Sequence, residues 1–350
     1  MRNGCSPAFF SLGCRSPVRA LRPRAVFRII AFPVGSSFSY KPPVSVMSHH
    51  DVLSATTRFC GVFGQPIKHS ASPAMHNPAM ASLGLNWRYL AFEVNPNRLA
   101  QALEGCRAMR FIGVNLTVPH KLLAVALMDV LDPSAQEWGA VNTVAFEARD
   151  PDGTWRPVRE FEGSIPEEIR ARGYNTDADA ILRALEEDLD FQARGSRVLI
   201  LGAGGAGRVA AMKLASAGAA ELFLVNRTES KAASVGEEIV RRFPATRVTV
   251  GYPKTPIDLA LNATSLGLNA SDALPLDVGL WSVGQSKKAY DMIYRPAQTP
   301  FLALAKDAGC ETANGLGMLL YQGAKALEIW SGRKAPVDLM RDALRKQVYG

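Results

Sequence analysis

The run NLTVPHK, Asn115 to Lys121, places a lysine two residues after a proline where a helix is set to begin. Pro119 suits the first helical position, because its missing N–H would have no intrahelical partner there. Lys121 then falls at the positive end of the helix dipole, which opposes an ammonium group by about 0.3–1 kcal/mol. A cation kept at an unfavourable place is a candidate for chemistry, and the chemistry open to an amine in a cleft is proton transfer. On these residues alone, a solvated first-turn lysine stays open as the alternative.

A second stretch, RVLILGAGGAGRVAAMKLASAG followed by ELFLVNR, puts Gly202-Ala203-Gly204-Gly205-Ala206-Gly207 between an apolar strand and a helix. Glycines there permit a tight turn and close approach of backbone N–H groups to a pyrophosphate at the helix N-terminus. Such a run is weak evidence by itself, and strong evidence of a dinucleotide site between two strands and before a helix. The second strand ends in Asn226-Arg227-Thr228 with Lys231 one turn on, where an NAD site would carry Asp or Glu. A guanidinium binds a 2′-phosphate that a carboxylate would repel, so NADP is the expected cofactor. The competing reading of Arg227 is an ordinary surface charge.

These residues need a scaffold. RFCGVFG (Arg58–Gly64) reads as a buried strand and SPAMHNPAMASLG as a helix of about three turns ending at Gly84. YLAFEV, NPNRLAQALEGCRAM and FIGVNLTV repeat strand, helix, strand, which predicts a mostly parallel sheet covered by helices. VNTVAFEARDPDGTWRPV reads as a hairpin around DPDG. The expected fold is two-domain α/β. An N-terminal α/β substrate domain spans 58–177, a Rossmann-type NADP-binding domain spans 178–315, and helices of 316–346 return to the first domain.

Composition narrows the class. The chain has 350 residues, 47% hydrophobic, enough for two packed domains. Its net charge is +8, but residues 1–50 carry seven Arg and Lys and no acid, leaving 33 bases against 32 acids beyond them. The nearly neutral body lacks the basic footprint of a nucleic-acid binder. Residues 1–57 read as a non-packing extension, with Met47 as the expected start; its apolar part, broken by Arg28 and Pro33, suits neither a membrane span nor a secretory signal. Organelle targeting is the lesser reading. Cys5, Cys14, Cys60, Cys106 and Cys310 are scattered without a CxxC pair, which favours a reducing, cytoplasmic setting. His69 and His76 lack a third ligand nearby and read as surface or substrate-side residues.

From Gly61 to about Gly332 the motifs GVFGQPIKHSASPAMHN, NLTVPHK, GAVNTV, GYNTDADA, GAGGAG with VNRT, NATSLG, YDMIY and GLGMLLYQG together resemble the shikimate dehydrogenase family. That resemblance implies NADP-linked interconversion of 3-dehydroshikimate and shikimate, on the way to chorismate and aromatic amino acids. It makes Lys121 the catalytic lysine and Asp177 its partner. It assigns substrate contacts to Ser70, Ser72, Thr117, Asn142, Tyr294 and Gln322, and puts Met292 and Gly315 beside the nicotinamide. Plainer roles compete: Thr176 or Asp177 as a helix N-cap, Ser72 as the cap before Pro73, Asn142 and Gln322 as satisfied amides, and Tyr294 as packing. Two departures stand out: 30 residues, Ala145 to Tyr174, where a short connector is expected, and Ala178 where glycine is common. The long segment is expected to cap the cleft or make a subunit contact, and a homodimer stays open. The rivals are a quinate/shikimate dehydrogenase using NAD(P) and a non-catalytic shikimate-binding homologue.

Overall fold

In the computed structural model, residues 53–269 and 271–350 are described. The expected start at Met47 lies outside them. Packing begins slightly before Arg58, since Thr57 donates its hydroxyl to Asn86 at 3.0 Å and holds a turn that starts at Ser54.

The first sheet is built from β1 (Arg58–Gly64), β2 (Trp87–Glu93), β3 (Gly113–Leu116), β4 (Val130–Leu131), β5 (Thr143–Arg149), β6 (Trp155–Pro157) and β7 (Ile169–Tyr174). Between them run α1 (Ser72–Ser82), α2 (Leu99–Ala108), α3 (His120–Leu123) and α4 (Pro133–Trp138). β1 is buried along its last five residues, as a strand covered on both faces must be. In α2, Leu99, Leu103 and Cys106 recur at helical spacing and form its buried stripe.

The strand order is β2-β1-β3-β5-β7-β4, with β6 beside β5. β1 pairs in parallel with β2 and β3, and β4 with β7, whereas β5 runs antiparallel to β3, β6 and β7. The sheet is therefore mixed rather than mostly parallel. The short turn after β5 accounts for the β5–β6 pair, since directly connected neighbours pair antiparallel; β5 itself already enters the sheet reversed against β3, after the connection through α3, β4 and α4. The register of the 145–174 segment also corrects the expectation of a cleft cap. Thr143, next to Asn142, pairs with Tyr174, while Arg149 pairs with Trp155 at the other end of the strand. At about 3.4 Å per residue the hairpin tip stands roughly 20 Å from the end that carries the site.

After β7 come α5 (Asp177–Leu189), β8 (Arg197–Leu201), α6 (Gly205–Ser216), β9 (Glu221–Val225), α7 (Glu229–Arg242), β10 (Arg247–Val250), β11 (Ile257–Asn262), β12 (Ser286–Asp291), α8 (Pro300–Asp307) and β13 (Glu311–Asn314). The second sheet is wholly parallel in the order β10-β9-β8-β11-β12-β13. That is the doubly wound order, whose reversal between β8 and β11 opens a crevice beyond the carboxyl ends of the strands.

The chain then returns. α9 (Leu316–Ser331) packs on α5, and Trp330 donates its indole N–H to the Val144 carbonyl of the first sheet at 2.9 Å. α10 (Val337–Tyr349) packs on α1. Among the described residues no helix is long and apolar enough to cross a membrane.

Candidate active site

Lys121 sits on α3, one turn long, after a cis Val118–Pro119 bond. Pro119 occupies the N-cap rather than the first helical position. With only four residues, α3 sums few peptide dipoles, so a stronger partner must place the amine. That partner is Asp177: its Oδ2 lies 2.7 Å from Lys121 Nζ, the side chains being 33% and 16% exposed respectively.

Asp177 opens α5 without capping it. Asn175 does that work, its Oδ1 accepting the N–H groups of Asp177 at 3.1 Å and Ala178 at 3.2 Å, while the Thr176 side chain makes no cap bond. The Asp177 carboxylate is thereby free for the lysine. Ala178 is buried in the first helical turn, where alanine is favoured over glycine by about 1 kcal/mol.

Asn142, 2% exposed, accepts the Thr176 N–H at 2.7 Å and donates to its hydroxyl at 2.9 Å. It does not line either cavity described below; its amide holds the turn that delivers Asp177.

Two cavities meet at the pair. The first, about 230 Å³, is lined by Ser70, Ser72, Asn115, Thr117, Tyr294 and Gln322 together with Lys121, Asp177, Met292 and Gly315. Ser72 is not a cap, since Ala71 holds that position and Ser72 begins α1. Gln322 spends one amide hydrogen on the Leu319 carbonyl at 2.8 Å, leaving its Oε1 for a ligand. Burial pushes the Tyr294 phenol up, so it is a neutral donor. The second cavity, about 490 Å³, runs from Lys121, Asp177, Met292 and Met318 past Val118, Leu122, Trp138 and Ile181 to Gly205 and Ala206 at the start of α6.

Gly202 and Gly207 shape the turn behind that helix start. Gly202 has φ +105°, a conformation costly for other residues, and a Cβ on Gly207 would collide with the Gly202 carbonyl oxygen. Gly204 is the N-cap of the twelve-residue α6. Asn226 spends its side chain on structure, accepting the Ala203 N–H at 3.0 Å and donating to the Thr228 carbonyl at 2.8 Å. Arg227, Thr228 and Lys231 are exposed, and among the described residues neither cation has an ion-pair partner. An adenine ribose carrying a 2′-phosphate fits this donor set: free helix N–H groups, two unspent cations and no carboxylate at the end of β9.

Several contributors escaped the sequence reading. Asp291 is wholly buried and accepts from Ile293 N–H at 2.9 Å, Asn262 Nδ2 at 3.1 Å and Thr299 Oγ1 at 2.6 Å, with Met292 fixed between its partners. Burial pushes its carboxyl up. Asn115 accepts from the Tyr89 hydroxyl at 2.7 Å and donates to Thr143 Oγ1 at 3.0 Å and the Asn142 carbonyl at 3.2 Å. A buried amide beside a catalytic motif was the available signal. His69 lines the first cavity, but His76 is fully buried, stacked on Tyr89 at 4.2 Å, not a surface group. Among the described residues no three His, Cys, Asp or Glu side chains cluster as metal ligands would.

Residues 62–144 match the shikimate dehydrogenase substrate binding domain, 184–249 the shikimate / quinate 5-dehydrogenase domain, and 315–345 the shikimate 5′-dehydrogenase C-terminal domain. The shikimate dehydrogenase (NADP(+)) of Desulforamulus reducens is 38% identical over 307 residues, covering 85% of this chain and 98% of that one. That of Moorella thermoacetica is 41% identical over 302 residues, covering 84% and 95%. The solved structure of shikimate 5-dehydrogenase from Thermus thermophilus in complex with NADP(H) and shikimate superposes with a TM-score of 0.68 at 36% identity, covering 83% of this chain and 99% of that one. The chain belongs to the NADP-dependent shikimate dehydrogenase family.

Proposed function

We propose that the chain interconverts 3-dehydroshikimate and shikimate with NADP, using Lys121 as the proton donor and acceptor. The observation that carries this reading is the 2.7 Å Lys121–Asp177 pair at the junction of a hydroxyl-lined cavity and a cavity that runs to the glycine turn. Ser70, Ser72, Thr117, Tyr294 and Gln322 present neutral hydrogen-bonding groups suited to a ring with three hydroxyls and a carboxylate. NADP held on the glycine turn, with Arg227 and Lys231 at its 2′-phosphate, supplies the redox half of the reaction.

Lys121 gives a proton to the carbonyl oxygen during reduction and takes it back during oxidation. Asp177 orients the amine and accepts a hydrogen bond from a neighbouring substrate hydroxyl. Asn175, through the Asp177 N–H, and Asn142, through the N–H and hydroxyl of the preceding Thr176, keep Asp177 in place, and Met292, next to the anchored Asp291, lines both cavities. The buried free thiols of Cys60, Cys106 and Cys310 suit a cytoplasmic enzyme.

Initial rates with shikimate and with quinate, each with NADP and with NAD, test the reading. The highest kcat/KM belongs to shikimate with NADP. Equal or better use of quinate with NAD would move the chain to the broader quinate/shikimate activity. No turnover with any pair would favour a non-catalytic binding protein.

A further inference from the structure

The 230 Å³ cavity contains one buried-side ion pair and no surplus charge. Lys121 is matched by Asp177 at 2.7 Å. The remaining wall is largely apolar, with Ile67, Leu116 and Leu319 among its members, and its polar groups besides His69 are hydroxyls and amides, those of Ser70, Ser72, Asn115, Thr117, Tyr294 and Gln322. No arginine lines this cavity among the described residues. His69, at the exposed rim, is the other group there able to carry a positive charge. A pocket of this kind holds a carboxylate through neutral donors. Those donors do not become stranded charges when the carboxylate is absent, because hydroxyls serve equally as partners for an ester, a hydroxymethyl group or water. A pocket built around a buried cation behaves differently, since removing the ligand's anion leaves that cation unpaired and desolvated.

The reacting end makes no demand on the carboxylate either. It needs a ring carbonyl, or the corresponding alcohol, within reach of Lys121, and a neighbouring hydroxyl for Asp177. Resting on the function proposed above, we propose that this site also turns over uncharged cyclic polyhydroxy ketones and their alcohols, with the ring carboxylate a contributor to affinity and not a requirement for chemistry. The balance is unchanged. In reduction the carbonyl π bond breaks, a C–H bond forms with the hydrogen and electron pair given up by NADPH, and an O–H bond forms with the Lys121 proton. NADPH ends as NADP and the ketone as a secondary alcohol.

The test is oxidation with NADP of three rings differing at one carbon: shikimate, its methyl ester, and the analogue bearing hydroxymethyl in place of the carboxylate. A hydrogen bond to a charged acceptor outweighs one to a neutral acceptor by about tenfold in affinity, so two weakened bonds cost roughly a hundredfold. The expected result is a fall in kcat/KM of no more than about a hundredfold for at least one neutral ring, carried mainly by KM. A larger loss for both neutral rings overturns the inference. So does a His69→Gln variant that loses a hundredfold with shikimate and nothing with the methyl ester, since an imidazolium would then be the carboxylate's counter-ion. Shikimate is the internal standard. If it is not oxidised, the proposed function fails; if it alone is oxidised, only this inference fails.

Discussion

The two cavities that share Lys121 and Asp177 are made from different material. The cavity proposed for the substrate sets polar side chains drawn from β1's following loop, α1, the β3–α3 junction and α9 among apolar ones such as Ile67, Leu116 and Leu319, and on the proposed reading its selectivity rests on which hydroxyl or amide stands where. The cavity proposed for the cofactor is apolar near the pair and becomes backbone at Gly205 and Ala206, while Arg227 and Lys231, the cations proposed to select NADP, stand outside that lining. On the proposed reading, small, individually replaceable contacts govern one side, and one helix start with one guanidinium governs the other. The pair between them belongs to both, so damage there should erase turnover without touching either kind of recognition.

The largest expected effect follows directly. Lys121→Ala should lower kcat by about 10²-fold or more, the usual contribution of a general acid or base, with NADP affinity unchanged in a binding titration. Retention of a tenth of the normal kcat would break the division of labour.

Next is Arg227→Ala, which should cost roughly ten- to a hundredfold in NADP selectivity, read as a higher KM for NADP and a nearly constant KM for NAD. Equal weakening of both cofactors would make Arg227 a structural residue and bring the NAD-tolerant reading forward.

Asn175→Ala sharpens the comparison from below the pair. It removes the acceptor for two N–H groups at the start of α5 and should cost about 1 kcal/mol of stability. Because Asp177 loses its fixed position, kcat should also fall about tenfold while the NADP dissociation constant stays put. A change in stability alone would limit Asn175 to capping.

The smallest effect concerns stability and pH. His76 is buried with both ring nitrogens unpartnered, and burial lowers its pKa from 6.5 to about 3. The unfolded chain binds the extra proton between those values, so the stability linked to His76 is full above pH 6.5 and falls as pH drops toward 3. The slope is at most about 1.4 kcal/mol per pH unit, near 2–4 °C in Tm for a chain of this size. His76→Phe should keep the stack on Tyr89 and flatten the decline in Tm between pH 6.5 and 5. An unchanged decline would show that other groups carry it.

The same contrast explains what could be read in advance. The glycine turn was legible because a dinucleotide constrains the backbone, and only glycine satisfies a position such as Gly207, where any Cβ meets the Gly202 carbonyl. Lys121 announced itself by standing beside a proline. β7 did not: IRARGY carries Arg170 and Arg172, which look like a solvated turn, yet both guanidinium groups bond Glu147 across the sheet at 2.6 and 2.9 Å. Paired charges cancel the hydrophobic alternation by which a strand is recognised. Asn142 and Asn115 were visible as amides beside catalytic motifs, but whether such a side chain faces a ligand or a neighbouring turn depends on contacts from strands far apart in sequence. The same holds for Asp291, whose three donors come from β11, its own loop and the cap of α8.

The central claim is that Lys121 and Asp177 act as one unit where the two cavities meet, and a double-mutant cycle measures it. The kcat for shikimate oxidation with NADP is determined for the parent chain, Lys121→Ala, Asp177→Ala and the double variant. Residues that act as a unit are strongly non-additive, so the double variant should be no more than a few-fold slower than the slower single variant. Losses that multiply would show two independent contributions, and the paired proton-transfer account would be contradicted.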